Sequence, residues 1–132
     1  MADIAKSGIP SLSTLGPAPG SGKLPTLYAG EAIAAGDACY IKSDGKIWRS
    51  IGTAVNAAAK VDGYAAMDCP VDQSITLLFN CTFRYGAALT PGARVFLGAA
   101  AGAIADAATT GGTAPIGFVI DATRVYLYQS RY

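Results

Sequence analysis

An alternation of apolar and polar residues between Ile75 and Tyr85 constrains the fold of this chain more than any other feature. The odd-numbered positions carry Ile, Leu, Phe, Cys, Phe and Tyr, and the even-numbered positions between them are mostly polar. A period of two residues is the period at which side chains alternate between the faces of a β-strand. We therefore expect either one long strand or two strands bent at Asn80, with the apolar and aromatic set on the buried face.

Shorter runs of the same style occur along the rest of the chain. They are Cys39 to Lys42, Ile47 to Arg49, Arg94 to Leu97, Ile116 to Ile120 and Arg124 to Tyr128. Turn-forming triplets lie between them, namely Ser43 to Gly45, Thr90 to Gly92 and Thr110 to Gly112. Many short strands with frequent turns predict an all-β fold, a small β-barrel or sandwich. The Ala-rich stretches 54–60 and 99–108 could each form a single helical turn, and Gly98 and Gly102 argue against a long helix in the second.

An internal repeat is visible at the level of turns and strands. Residues 30–41 can be laid over residues 86–97 without a gap. Each copy continues to a turn glycine and then to a Gly-aromatic pair, Gly63-Tyr64 or Gly117-Phe118. We expect an internal two-fold repeat whose two copies close around a shared core. The alternative is chance similarity, because Ala and Gly are frequent in this chain.

Residues 1–27 differ in character from the rest of the chain. They contain four of the seven prolines and several glycines, which oppose both helix and central-strand formation. Several large apolar residues stand among them, including Ile4, Ile9, Leu12, Leu15 and Leu24. We predict an extended N-terminal arm over residues 1–27 that contacts a neighbouring subunit through these side chains, and a β-rich domain over residues 28–132. The alternative is a leader without a role in assembly.

The chain carries few charges for its length. Charged residues make up 14% of the 132 residues and hydrophobic residues 52%, with a mean hydropathy of +0.34, whereas globular proteins average about 25% charged residues. This composition predicts that partners cover part of the surface; the alternative is a monomer with a surface of Ala, Gly and Thr. The net charge of +1 comes from charges scattered along the chain, so neither nucleic acid nor a membrane is an expected partner.

The residue types for catalysis and metal binding are sparse. The chain has no His and only Cys39, Cys69 and Cys81, without a CxxC motif, so we expect no metal site, no cofactor and no enzymatic activity. A bridge from Cys39 or Cys69 to Cys81 stays open beside the expectation of buried free thiols. Residues 1–6 do not resemble a signal peptide, and no apolar run reaches the roughly 18 residues of a membrane span, so we expect assembly in a cytosol.

Two further sequence patterns can be interpreted either as a functional site or as part of the fold. Ser43 to Lys46 matches the Ser-x-x-Lys motif of acyl transfer, but it lies between two predicted strands, where Ser-Asp-Gly-Lys is typical of a hairpin turn. Asp62, Asp68 and Asp72 could surround a cation, but their spacing is that of solvated loop acids. We interpret both patterns as structural.

The C-terminal residues include a cluster of tyrosines. In a strand over 124–128, Val125 and Leu127 would face the core, which points Tyr126 and Tyr128 to the other side. Tyrosine near arginine is the composition of a protein interface, so Tyr126, Tyr128, Arg131 and Tyr132 are predicted contacts with other protein subunits. The alternative is that these rings cover the other side of the barrel.

The order of glycine turns and strands resembles a known family. Gly-x-Ala-Ile-x-x-Gly-Asp-x-x-Tyr-Ile from Gly30, then Asp-Gly-Lys-Ile and Asp-Gly-Tyr-Ala, is echoed later by Leu-Thr-Pro-Gly-Ala-Arg-Val-Phe-Leu, Pro-Ile-Gly-Phe-Val-Ile and Val-Tyr-Leu. This order is similar to that of the small capsid decoration, or cement, proteins of tailed phages, over roughly residues 28–129. The resemblance implies a β-rich body, often trimeric, that sits outside the expanded head and binds the major capsid protein. The arm of this chain is longer and richer in Pro than the family pattern.

These observations give one expected function and one alternative. We expect a virion structural protein on the capsid exterior, assembled in the host cytoplasm, that stabilises the lattice of the mature phage head. Its expected partners are the major capsid protein and copies of itself, as a trimer. The alternative is a ligand- or glycan-binding β module on a virion surface, although the chain offers only one Trp, two Asn and two Gln for such a site.

Overall fold

A computed structural model describes Ala5, residues 27–86 and residues 88–130. The described residues form nine strands and one 3₁₀ turn. The strands are β1 (Ala38–Ile41), β2 (Ile47–Arg49), β3 (Gly63–Ala65), β4 (Leu77–Leu78), β5 (Cys81–Arg84), β6 (Arg94–Leu97), β7 (Ile104–Ala105), β8 (Gly117–Val119) and β9 (Arg124–Leu127). The 3₁₀ turn spans Ala57–Ala59. The predicted all-β class is confirmed.

Two antiparallel sheets make up the described fold. The first sheet has the order β2-β1-β3-β4, and the second has the order β5-β9-β8-β6-β7 and curves into a half-barrel. The strand registers are regular, for example Tyr40 opposite Trp48 in the first sheet and Phe118 opposite Tyr126 in the half-barrel. Short strands joined by tight turns therefore build a sandwich-like body, as the spacing of turn residues predicts.

The alternating run from Ile75 to Tyr85 forms two strands, β4 and β5, which separate at Phe79 and Asn80. The predicted bend at Asn80 is thus confirmed, and the two strands belong to different sheets. The prediction that the whole aromatic set is buried is wrong, since Phe79 and Tyr85 are exposed. Phe79 lies where the chain crosses between sheets, so the alternation no longer points it at a core.

One of the two Ala-rich stretches forms the predicted helical turn. In the stretch 54–60, the Asn56 side chain accepts a hydrogen bond from the Ala58 amide and caps the 3₁₀ turn. The stretch 99–108 contains strand β7 instead of a helical turn, so that prediction is wrong. Gly102 explains the difference, because its φ of +76° reverses the chain between β6 and β7.

Two apolar clusters lie on opposite faces of the first sheet. The larger cluster lies between the sheets and combines Ala38 and Tyr64 with inward-facing residues of the half-barrel such as Leu97, Val125 and Leu127. The second cluster covers the other face of the first sheet. Its members are Ala29, Ile33, Cys39, Ile47, Ala65, Cys69, Ile75 and Leu77, with Leu27 packed against them. The first sheet therefore packs against an apolar cluster on each face within one chain.

Residues 1–4 and 6–26 lie outside the described residues, and so does almost all of the predicted arm. Within the described chain, the order β2-β1-β3-β4 corresponds strand by strand to β7-β6-β8-β9, with β5 added at the edge beside β9. The equivalence of the two sequence copies as three-dimensional units stays a prediction.

Candidate functional site

The outer face of the half-barrel presents a row of side chains across four strands. The register places Thr82 opposite Tyr126, Tyr126 opposite Phe118, and Phe118 opposite Arg94. Because Val119, Val125 and Leu127 face the core, their neighbours along the strands point outward. We call this surface, made of Thr82, Arg84, Arg94, Phe118, Arg124, Tyr126 and Tyr128, the outer face.

Three aromatic rings on the outer face contact one another. The ring centroids of Phe118 and Tyr126 are 5.4 Å apart at an interplanar angle of 29°, and those of Tyr126 and Tyr128 are 6.4 Å apart at 44°. Phe118 is 45% exposed, and both tyrosines are half-buried. Stacked rings that still face solvent form a preordered apolar surface, which loses little side-chain entropy when a partner covers it.

Three arginines surround the aromatic row. Arg124 pairs with Asp121 at 2.6 Å between Nη2 and Oδ2, and Arg84 Nη1 donates to Thr123 Oγ1 at 3.3 Å. The hydrogen bond from Arg124 holds the pKa of the Asp121 carboxyl below its ordinary value, so this pair stays ionised at neutral pH. Arg with Tyr and Phe is the residue set that is enriched at the centres of protein interfaces.

The inner end of this surface is tied to the rest of the fold. The buried Tyr64 hydroxyl donates to the Tyr128 carbonyl oxygen at 2.9 Å, which joins β3 of the first sheet to the end of β9. The Gln129 side chain donates to the Asp62 carbonyl oxygen at 2.8 Å. The tyrosines of the outer face therefore stand on a strand whose end is fixed by the first sheet.

Of the predicted contact residues, Tyr126 and Tyr128 lie together on the outer face, pointing away from the core. The others lie outside the described residues: Ile4, Ile9, Leu12, Leu15, Arg131 and Tyr132. Phe118, the most exposed ring of the row, was not among the contact residues predicted from the sequence. The alternation from Ile116 to Ile120 could have identified it, because Phe118 lies between the buried Gly117 and Val119 and so points to the opposite face of the strand.

A cleft opens at the end of the half-barrel where β8 ends and β9 begins. Its volume is about 650 Å³, and Leu89, Ala93, Ile104, Val119 and Val125 contribute apolar walls. We call it the mouth cleft. Arg94 and Asp106 lie at its rim as its charged residues, and Tyr85 and Thr90 add hydroxyl groups to a mainly apolar lining. The shape and lining suit an apolar group presented by a partner.

A second, shallower cavity of about 440 Å³ lies beside the first sheet and includes Asp37 and Asp68. Both carboxylates accept backbone hydrogen bonds, Asp37 from Ala34 and Asp68 from Ala35, at 2.9 and 2.8 Å. These bonds hold the loop that carries residues 34–37. The carboxylates thus have a structural use in this loop.

The candidate nucleophiles and bases have environments that keep them protonated. Burial raises the pKa of the Cys39 thiol to about 12, and it also raises the pKa of the Cys69 and Cys81 thiols. All three cysteines are free, as expected, and the two that are buried are Cys39 and Cys69. The Lys46 amine of the Ser-x-x-Lys motif is 2.9 Å from Asp72, which raises its pKa. Protonated thiols and amines are poor nucleophiles at neutral pH.

The three candidate loop acids, Asp62, Asp68 and Asp72, each bind a different partner within the fold. Asp62 is buried and accepts a hydrogen bond from the Ile41 amide, whereas Asp72 pairs with Lys46 and Asp68 with the Ala35 amide. Within residues 27–86 and 88–130, no three Cys, Asp or Glu side chains come together as a possible metal site. Nor does this part of the chain contain a helix with the length and apolar character for crossing a membrane.

Comparisons of the chain with protein-family models, with curated proteins and with solved structures gave no match.

Proposed function

We propose that this chain is a virion structural protein that binds the outside of the mature phage head and stabilises the capsid lattice. The observation that carries the proposal is the outer face, where Phe118, Tyr126 and Tyr128 form an exposed aromatic row on a chain with only 14% charged residues. Such a surface is stabilised when a protein partner covers it. The major capsid protein is the proposed partner, and a trimer is the proposed form in which the chain binds.

The proposed mechanism is an added contact area across the junctions of capsid subunits. A protein that binds the expanded lattice and not its precursor stabilises the expanded form by mass action. A trimer would engage several equivalent sites at once, which strengthens modest single-site affinity. The protonated thiols and the paired Lys46 support a binding role over a catalytic one.

The exposed aromatic row also supports the alternative function, a glycan-binding module, because sugar rings stack on aromatic side chains. Such a site also needs convergent amide or carboxylate groups beside the rings. The Asn56 side chain caps the 3₁₀ turn, and the Gln129 side chain binds the Asp62 carbonyl oxygen. Two of the four Asn and Gln side chains are thus engaged within the fold, and no amide lies within the row of rings itself, so we favour the protein partner.

The test uses purified protein mixed with expanded empty heads and with unexpanded proheads of a phage that encodes the chain, followed by sedimentation. We expect the protein to co-sediment with expanded heads and to stay in the supernatant with proheads. The double substitution Phe118→Thr with Tyr126→Thr should lower occupancy on expanded heads at least tenfold, since hot-spot rings each contribute more than about 1 kcal/mol.

The matched control is Ile41→Thr, which changes a residue of nearly equal exposure, 43% against 45% for Phe118, on the first sheet. This control should bind as the parent does. Equal binding of the double variant and the parent would contradict the role of the outer face. Absence of binding to any head, together with specific binding on a glycan array, would favour the alternative function.

The predicted arm is tested in the same assay. Deletion of residues 2–24 should abolish binding to expanded heads and leave the far-ultraviolet circular dichroism of the β body unchanged. Unchanged occupancy would refute the role of Ile4, Ile9, Leu12 and Leu15 in capsid contact.

A further inference from the structure

The loop formed by residues 66–73 presents apolar side chains to solvent on a firmly held backbone. Met67 is 68% exposed and Val71 is 51% exposed. The Cys69 amide donates to the Ile33 carbonyl oxygen at 2.7 Å, and the Asp72 amide donates to the Ala29 carbonyl oxygen at 2.8 Å. These bonds prevent the loop from folding its apolar side chains onto the body. The result is a preorganised apolar projection.

Asp72 adds to the rigidity of this projection. Its φ of +63° lies in the left-handed region, which is unusual for a residue with a side chain. The ion pair of Asp72 with Lys46, at 2.9 Å, and its backbone hydrogen bond fix the residue in that conformation. Aspartate tolerates this conformation in turns, so the loop keeps a defined shape here without glycine.

The mouth cleft of the half-barrel has complementary shape and chemistry. Its apolar walls, which include Leu89 and Ile104, enclose about 650 Å³, which is ample space for a methionine side chain. The cleft lies in the second sheet, whereas the 66–73 loop packs on the first. Each copy of the chain therefore carries one projection and one cleft at different places.

The distribution of charge matches a contact between these two regions. Residues 28–74 contain six acidic and four basic residues, a net charge of −2, while residues 75–132 contain two acidic and four basic residues, a net charge of +2. Asp68 lies on the projection and Arg94 lies at the rim of the cleft. Neither has an ion-pair partner among the described residues. A contact between two copies would pair them.

We propose that copies of this chain associate head to tail, with the 66–73 loop of one copy inserted into the mouth cleft of the next. Met67 fills the apolar cleft, and Asp68 pairs with Arg94 at its rim. Because the two surfaces differ, the contact is heterologous, and repetition of one such contact closes a ring when its rotation permits. The inference concerns contacts between copies, so it is independent of whether the protein binds a phage head.

The test measures the mass of the purified full chain by light scattering during size-exclusion chromatography. The parent should elute as a closed oligomer of three or more copies, with a mass of at least three times 13.4 kDa. Met67→Ser and, separately, Arg94→Glu should each weaken association at least tenfold. The matched control is Val55→Ser, because Val55 is 83% exposed and lies outside both surfaces; it should associate as the parent does.

A double-mutant cycle identifies the pair. Asp68→Asn keeps an oxygen that can accept the hydrogen bond from the Ala35 amide, so it removes the charge without removing that contact. Asp68→Asn and Arg94→Gln should each weaken association, and the double variant should be little weaker than either single variant, because all three lose the same ion pair. Trp48 fluorescence and circular dichroism of each variant confirm that the body is folded. A parent that is monomeric up to about 100 µM, well above the range of specific association, would overturn the proposal. Additive losses in the double variant, or an equal loss in Val55→Ser, would overturn it too.

Discussion

The two sheets follow the same strand order but differ in how they are covered. The first sheet lies between two apolar clusters, one shared with the half-barrel and one formed with the chain's own loops. The half-barrel packs on the core with its inner face, and its outer face presents the exposed Phe118 stacked on the half-buried Tyr126. The same strand order thus forms an interior layer in the first sheet and a solvent-facing layer in the half-barrel.

Loops make this difference. The bridges Ile33 to Cys69 and Ala29 to Ile47 hold the segments before β1 and before β4 across the outer side of the first sheet. The corresponding side of the half-barrel has no such cover among residues 27–86 and 88–130. A sheet that its own chain covers contributes to the free energy of folding, whereas an uncovered aromatic face is available for association. We expect substitutions in the two sheets to separate these two properties.

The largest expected effect on stability is at Tyr64, where the sheets meet. Tyr64 is fully buried, and its hydroxyl reaches across to the Tyr128 carbonyl oxygen. Tyr64→Ala should lower the free energy of unfolding by about 3–5 kcal/mol, because it removes a large ring from the shared core. Urea unfolding followed by circular dichroism and by the fluorescence of Trp48 measures the loss.

Tyr64→Phe is the matched control for the hydroxyl. It keeps the ring and leaves the Tyr128 carbonyl oxygen without this donor, so we expect a cost of about 1 kcal/mol. Trp48 lies in the first sheet and circular dichroism reports both sheets. Coincident urea midpoints from the two probes are expected for one cooperative body. If the fluorescence and circular dichroism midpoints of the parent differ, the two sheets unfold separately, which would contradict the coupling of the sheets through Tyr64.

An intermediate effect is expected at two glycines that hold corresponding places in β3 and β8. A Cβ atom on Gly117 would lie 2.2 Å from the Tyr126 carbonyl oxygen, a backbone atom that cannot rotate away. A Cβ atom on Gly63 would lie 3.1 Å from its nearest neighbours, the Leu77 Cβ and the Leu78 carbonyl oxygen. Gly117→Ala should therefore cost about 3 kcal/mol, and Gly63→Ala should stay within about 1 kcal/mol of the parent.

The same urea titration measures both glycine variants. A cost at Gly63 equal to that at Gly117 would show that the two sheets are packed alike at this place. The expected asymmetry has a structural reason, because the atoms nearest to an added Cβ are 2.2 Å away at Gly117 and 3.1 Å away at Gly63, where a small shift of β4 relieves the contact.

The sequence predicts local elements of this fold well where periodicity and turn chemistry agree. The runs from Ile47 to Arg49 and from Arg94 to Leu97 match β2 and β6 at both ends, and Gly45 and Gly92 have the left-handed φ that their turns require. In these segments neighbouring residues decide the conformation, so the pattern contains the necessary information.

Other features depend on contacts between residues distant in sequence. The exposure of Phe79 follows from the passage of the chain between sheets, and β7 depends on the packing of Gly102 against Asp37. On the outer face, the positions of Val125 and Leu127 predict that Tyr126 and Tyr128 point away from the core. The sequence does not predict that Phe118 stacks on Tyr126, because this contact depends on the register between β8 and β9.

The smallest expected effects come from one ion pair in each sheet. In the first sheet, Arg49 donates from both Nε and Nη2 to Glu31 Oε1, at 3.0 and 2.8 Å, and its backbone amide donates to Glu31 Oε2. In the half-barrel, Arg124 donates to Asp121 Oδ2 on an exposed turn. Glu31→Gln should lower the free energy of unfolding by about 1 kcal/mol or less. Asp121→Asn should cost less than Glu31→Gln, because its pair is the more solvated of the two.

The pH dependence of the stability of Asp121→Asn tests whether the charge of Asp121 causes its effect. The Arg124 hydrogen bond lowers the pKa of the Asp121 carboxyl in the folded protein, so its stabilising effect is complete above the ordinary pKa of 3.8 and is lost as the pH falls through the lower folded value. The difference between the parent and Asp121→Asn should therefore be present at pH 7 and shrink in strong acid. Equal stability of the parent and Asp121→Asn at pH 7 would mean that Asp121 acts only through the turn hydrogen bonds from the Thr123 and Arg124 amides, which an asparagine oxygen can also accept.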